Sequence, residues 1–251
     1  MDWARVLGAA ATRRQGLRTL GFLCAWELLA WAVERLAPAA LKADREERAR
    51  FAERVTGLAH ALVTIGLCSW ILWVDPDEET QRASMERDHM YGHSDGAMVL
   101  FASSCGYFAW DLYATLSKSK VDWGFVVHAV ACFLCYLFGQ FPYLHYYGVR
   151  FLLFELSTPF LNVMLLLRQL GSKGALHSAV QSLFGYSFLA CRILYGFPLS
   201  YFFWQESLEL LRSGKQHSAF VVVYYLVANL ALNGLNAFWL VGMLTKRRKA
   251  N

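Results

Sequence analysis

Apolar residues run along this chain in long blocks separated by short charged stretches. Predominantly apolar windows fall at 17–36, 55–74, 96–116, 123–138, 143–167, 179–203 and 219–244. A helix needs about 20 such residues to cross a bilayer, so the pattern predicts seven spans, with six to eight as the range. The first window is interrupted by Glu27, Glu34 and Arg35, and the fourth is short. The expected fold is an all-α membrane protein, a bundle of about seven transmembrane helices around an intramembrane cavity. Stretch 42–54 mixes charges at helical spacing and predicts an extension of the second helix into water. GSKG at 171–174 predicts a turn.

Polar residues inside these windows recur at helical spacing. Ser104, Tyr107 and Asp111 are three and four apart, as are Glu155, Thr158 and Asn162, and Asn229, Asn233 and Asn236. Such spacing puts each set on one helix face. Polar stripes on apolar rods avoid lipid, so the stripes are expected to face one another and line the cavity. His128 lies near the middle of the fourth window and Arg192 within the sixth. LLFELSTPFLN at 152–162 is the densest case, with Glu155, Ser157, Thr158, Pro159 and Asn162 in a spanning segment. A charge in hydrocarbon costs at least about 2.5–3.5 kcal/mol on insertion scales. Pro159 removes a ladder donor and is expected to free a carbonyl one turn below it.

Each position also has a plainer reading. The three asparagines serve equally as interhelical hydrogen bonds of about 0.6–2 kcal/mol. Asp111 follows Trp110 and fits the interface, where a carboxylate is cheap. Arg192 can snorkel, or pair with Glu155 or Asp111. His128 can be a satisfied core histidine, although it reads as the one histidine deep in a span, and histidine as a residue type titrates near neutral pH. Glu155 is harder to explain as packing. His89, His93 and His145 read as solvated surface histidines, and the i, i+4 spacing of His89 and His93 is interrupted by turn residues. No metal site is expected. All six cysteines lie inside predicted spans, and the CxxC of Cys132 and Cys135 reads as small apolar packing.

Composition supports the membrane reading. Of 251 residues 57% are hydrophobic and 17% charged, against about 25% charged in soluble domains. The first sixteen residues lack a cleavage-site pattern and read as a retained segment. Lys42, Arg45, Arg48, Arg50 and Arg54 make the first loop basic, as Lys246, Arg247, Arg248 and Lys249 make the tail. The positive-inside rule assigns both to the cytosol. The loop 75–94 is acidic, with Asp75, Asp77, Glu78, Glu79, Glu86 and Asp88, and falls on the opposite side. Seven spans then put the N-terminus opposite the tail, whereas six put both ends in the cytosol. The net charge of +5 is spread over loop edges, so a nucleic-acid partner is not expected. The basic tail suits anionic headgroups.

Four motifs carry a family resemblance: GYFAWD at 106–111, the segment 125–132 with His128, YYG at 146–148, and FELSTPFLN at 154–162. In this order they resemble the TLC-domain proteins. That family joins the translocating-chain-associating membrane protein, the ceramide synthases and a neuronal-lipofuscinosis protein. The likeness is closest to the small TLC-domain-containing subgroup. It divides the chain into an N-terminal segment with the first helix and charged loop (1–52), a TLC domain (53–246) and a basic tail (247–251). It implies membrane-lipid homeostasis, with membrane lipids as partners, no resident cofactor, and an endoplasmic-reticulum or other endomembrane location, the plasma membrane being the alternative. A homo- or hetero-oligomer stays open. The residues expected to line a lipid site are Asp111, His128, Glu155, Thr158, Asn162 and Arg192.

Ceramide synthases carry a paired His where this chain has Val127–His128, and a His-Asp…Asp cluster where it has Phe154–Glu155 and Thr158. The resemblance therefore implies, as an alternative, acyl-CoA-dependent N-acyl transfer with His128 and Glu155 as a reduced dyad. Acyl-CoA would then be the co-substrate, and Lys118, Lys120 and Lys173 the basic residues at a cytosolic mouth. Cargo or partner binding in the endoplasmic reticulum is a further alternative, and an ion or proton channel a fourth.

Overall fold

The structure is a computed structural model that describes residues 9–38, 41, 44–74, 78–172 and 174–250. Lys42, Asp75, Asp77 and Lys173 lie outside the described residues. Helix α1 spans Ala9–Arg35. Helix α2 spans Arg45–Ser69 and continues as a π turn, Trp70–Val74. Helices α3 (Glu78–Arg87), α4 (Asp95–Leu116) and α5 (Trp123–Phe138) follow. Helix α6 (His145–Leu152) passes through a 3-10 stretch, Leu153–Ser157, into α7 (Thr158–Gln169). Helix α8 (Ala175–Phe188) passes through a π stretch, Leu189–Leu194, into α9 (Gly196–Ser213), and α10 covers Ala219–Ala250.

The described residues contain no strand, and the protein is an all-α membrane bundle. Each of the seven apolar windows falls, to within two residues at its ends, on one helical rod, three of the rods being compound. Four stretches are long and apolar enough to cross a membrane by themselves: Thr12–Arg35, Arg45–Val74, His145–Gln169 and Ala219–Thr245. Trp123–Phe138 is apolar but short, about 24 Å at 1.5 Å per residue. The acidic stretch between α2 and α4 is not a plain loop, because it holds α3.

Local chemistry accounts for the ends. Asp44 Oδ1 accepts from the backbone N–H of Glu46 at 2.8 Å and of Glu47 at 3.3 Å, capping α2 in the predicted charged stretch. Ser94 Oγ accepts from the Ala97 N–H and Asp122 Oδ1 from the Gly124 N–H, which cap α4 and α5. GSKG makes the expected turn. Gly171 adopts φ +78°, and the N–H of Ser172 returns to the Leu167 carbonyl, closing α7 in a Schellman-like way.

Helix α1 lies against α4 because Gly106 permits it. A Cβ there would stand 2.7 Å from the Leu23 nitrogen and 3.0 Å from the Thr19 carbonyl oxygen. Small residues allow such backbone approach in membranes. The Trp26 indole then donates to the Ser103 carbonyl at 3.2 Å. The glycine of GYFAWD thus docks a helix.

Candidate functional site

A cavity of about 80 Å³ lies between α4, α5, the α6–α7 rod, the α8–α9 rod and α10. Its lining on α10 runs from Tyr225 to Asn236, a separation of about 16 Å along the helix. Helix α5 runs antiparallel beside it. The Tyr225 and Tyr224 hydroxyls donate to the carbonyls of Cys135 and Ala131, and His128 packs on Trp239 with ring centroids 5.9 Å apart. The cavity therefore has two ends. Glu155, Arg192, His128 and Asn236 occupy one, and Leu144, Tyr147, Phe203 and Tyr225 the other.

The ionic groups stand on irregular helix. Glu155 is in the 3-10 stretch and Arg192 in the π stretch, and the two stretches face each other. Departures from α geometry of this kind concentrate at functional sites. Pro159 sits in the first turn of α7 and has no N–H to close an α-type bond. The Glu155 carbonyl is nevertheless paired, because the Thr158 N–H bonds to it in 3-10 fashion. The free carbonyl expected below the proline is thus absent, and a tightened turn takes its place.

Glu155 is 8% exposed and Arg192 9%. Their closest atoms, Arg192 Nη2 and Glu155 Oε1, are 3.9 Å apart. The guanidinium spends its donors elsewhere: Nε to Ser157 Oγ at 3.1 Å, Nη1 to Asn236 Oδ1 at 3.3 Å and Nη2 to Thr158 Oγ1 at 3.4 Å. One side chain thus ties the 3-10 stretch, α7, the π stretch and α10 together. Asn229 and Asn233 extend the polar lining and also join helices. Both donate to Ser200 Oγ, and Asn229 Oδ1 accepts from the Trp204 indole at 3.0 Å. The asparagines omitted from the expected lipid site are therefore both interhelical bonds and cavity lining, and their i, i+4, i+7 spacing is the signal that marks them.

Of the six expected lining residues, His128, Glu155 and Arg192 line this cavity. Thr158 meets it through Arg192. Asn162 and Asp111 are not in its lining. Each 3-10 residue advances about 20° more than an α residue, so a face extrapolated from Glu155 has turned by roughly 60° at Thr158. Asn162 accordingly points at α2, where its amide lies over Gly57 beside the Tyr107 hydroxyl. From the stripe of Ser104, Tyr107 and Asp111, Tyr107 serves the α1–α2–α4 contact. Tyr107 stacks on His60 at 3.7 Å between ring centroids, and Trp26 meets both rings edge-on.

His60 corrects the reading of His128 as the one histidine deep in a span. It is fully buried mid-α2, with Nε2 at 3.2 Å from Thr64 Oγ1. His145 is likewise no surface histidine. It is fully buried, its Nδ1 accepts from the Ser94 N–H, and its Nε2 faces the carbonyls of Gly139 and Phe141. His89 is half-buried, stacked on Tyr146 and paired with Glu206 at 2.8 Å. Lys118, expected near a cytosolic mouth, pairs with Glu53 at 2.9 Å.

His128 has Cys132 Sγ at 3.9 Å from Nε2. Among the described residues no carboxylate lies within ion-pair distance of its ring, so Glu155 shares the cavity with it without orienting it. Leu144, at the aromatic end, holds φ 58°, a conformation costly for a bulky residue. Its N–H donates to the Met90 carbonyl at 2.8 Å, which pins it.

The family model for the TLC domain matches residues 50–245 of this chain. The chain belongs to the TLC-domain family. A TLC domain-containing protein of Schizosaccharomyces pombe is 36% identical over 170 residues, covering 65% of this chain and 57% of that protein. One of Saccharomyces cerevisiae is 28% identical over 185 residues, covering 70% of this chain and 56% of its own length. The chain thus spans a little over half the length of the curated relatives it matches. The matched region contains every residue that lines the cavity, so the TLC domain holds the whole candidate site, while α1 packs against it from outside.

Proposed function

We propose that this TLC-domain protein binds a lipid in the cavity and acts in membrane-lipid homeostasis, in the endoplasmic reticulum or another endomembrane. The observation that carries this reading is the two-ended lining: Glu155, Arg192 and His128 at one end, aromatic and aliphatic side chains at the other. Polar groups in the bilayer core are expensive and gather where they serve a ligand or pathway. A pocket mostly apolar, with a few convergent polar groups, suits an amphiphile. Replacing Glu155 with Gln should change the cellular lipid profile more than replacing Asn233 with Leu, because only the first alters charge in the cavity. Equal profiles would count against the site.

Acyl-CoA-dependent N-acyl transfer is the second reading, supported by an imidazole, a carboxylate and a guanidinium in one cavity. Transfer needs a base held in place and a group that stabilises the developing oxyanion. Arg192 suits the second role, but no carboxylate holds His128, which favours binding over chemistry. Purified protein given acyl-CoA and a long-chain base is expected to make no amide. Product that disappears in His128→Ala would reverse the order of the two readings.

A further inference from the structure

The polar end of the cavity is balanced in charge. Glu155 and Arg192 are the ionic groups in the lining, both more than nine-tenths buried. At 3.9 Å they are too far apart for a hydrogen bond and close enough for a third polar group to bridge them. The amides of Asn229, Asn233 and Asn236 add donors and acceptors without net charge. Asn233 Oδ1 is buried with no protein partner. A charged headgroup seated here would leave one ion uncompensated inside the membrane. A hydroxyl, ester or amide would not.

The apolar part of the bore is narrow, and two glycines set its width. A Cβ on Gly148 would stand 2.4 Å from Phe101 Cζ, and one on Gly196 would stand 2.6 Å from Phe154 Cζ. Both rings line the cavity. Each glycine lets a phenyl ring lie back against backbone. A Cβ on Gly139 would crowd the same ring, 3.0 Å from Phe101 Cδ2. About 80 Å³ along about 16 Å of helix leaves no space for two chains side by side.

We propose that the cavity takes an amphiphile with a single chain in the bore and an uncharged, hydrogen-bonding head between Glu155 and Arg192, and that Gly148 and Gly196 determine which chains fit. This deepens the lipid-binding reading and rests on it.

Native mass spectrometry on the purified full-length protein tests both parts, with three probes at alkaline pH: monoolein, ionised oleate and dioleoylglycerol. Monoolein is expected to bind about tenfold tighter than the other two. Gly148→Ala should weaken monoolein about tenfold by driving Phe101 into the bore, and adding Phe101→Leu should restore it. Gly196→Ala with Phe154→Leu gives an independent pair should the first single variant not fold. Glu155→Gln leaves Arg192 uncompensated, so oleate should gain over monoolein. Oleate or dioleoylglycerol matching monoolein on the wild type overturns the proposal, as does a folded Gly148→Ala that binds unchanged or that Phe101→Leu fails to rescue. A charged or two-chained lipid co-purifying at one per protein would sink this inference and leave lipid binding intact. No co-purifying lipid and no probe binding would sink both.

Discussion

Arg192 holds more of the site together than its charge implies. Its three guanidinium nitrogens donate to Ser157, Asn236 and Thr158 on separate elements, with Glu155 beside them. Removing one member of a buried pair strands the other, at a cost of about 3–5 kcal/mol. Arg192→Ala should therefore lower the denaturation midpoint in mild detergent sharply. Arg192→Lys should recover only part of the loss, because a point ammonium cannot serve three acceptors in a planar fork. A lysine variant as stable as wild type would reduce Arg192 to a counter-charge. Glu155 and Arg192 were legible in the sequence because a charge stands out in an apolar window. His60 was legible too, framed by Thr56 and Thr64 four residues to either side. The aromatic end was not legible, since Phe101, Tyr147 and Phe203 look like any other apolar residue until packing brings them together.

At the scale of elements, the site depends on two interruptions of α geometry facing each other. The 3-10 stretch places Glu155, and Pro159 enforces it by withholding an N–H. Pro159→Ala supplies that N–H and should let an α-helix run through. The altered variant should keep or raise its thermal stability while losing bound lipid, because Glu155 turns with the helix. Lipid retained at wild-type level would mean that the proline does not position the carboxylate. The sequence signalled a break here but not its form. Uniform spacing of 3.6 residues put Asn162 on the Glu155 face, and the change of helical pitch moved it to Gly57. The π stretch around Arg192 had no signal at all, since no proline or glycine pair lies within Leu189–Leu194.

Across the whole molecule, the seven apolar windows fall on seven of the eight helical rods among the described residues, because burial in lipid demands long apolar runs that any hydropathy reading finds. Which rods enclose the cavity was not written there. Helix α1 stays outside it, docked on α4 through Gly106, and its outer face exposes Leu17, Leu20, Leu28 and Trp31. Gly106→Val should push α1 from α4 and weaken the Trp26–Ser103 bond, lowering stability while leaving the cavity lining in place. Loss of bound lipid without loss of stability in that variant would contradict this division of roles. The central claim, that the cavity holds a lipid by its polar end, is tested most directly by quantifying lipid that co-purifies with wild type and with Glu155→Gln. The account predicts about one uncharged lipid per wild-type protein and much less of that lipid in the variant. The same amount and kind of lipid in both, or none in either, would contradict it.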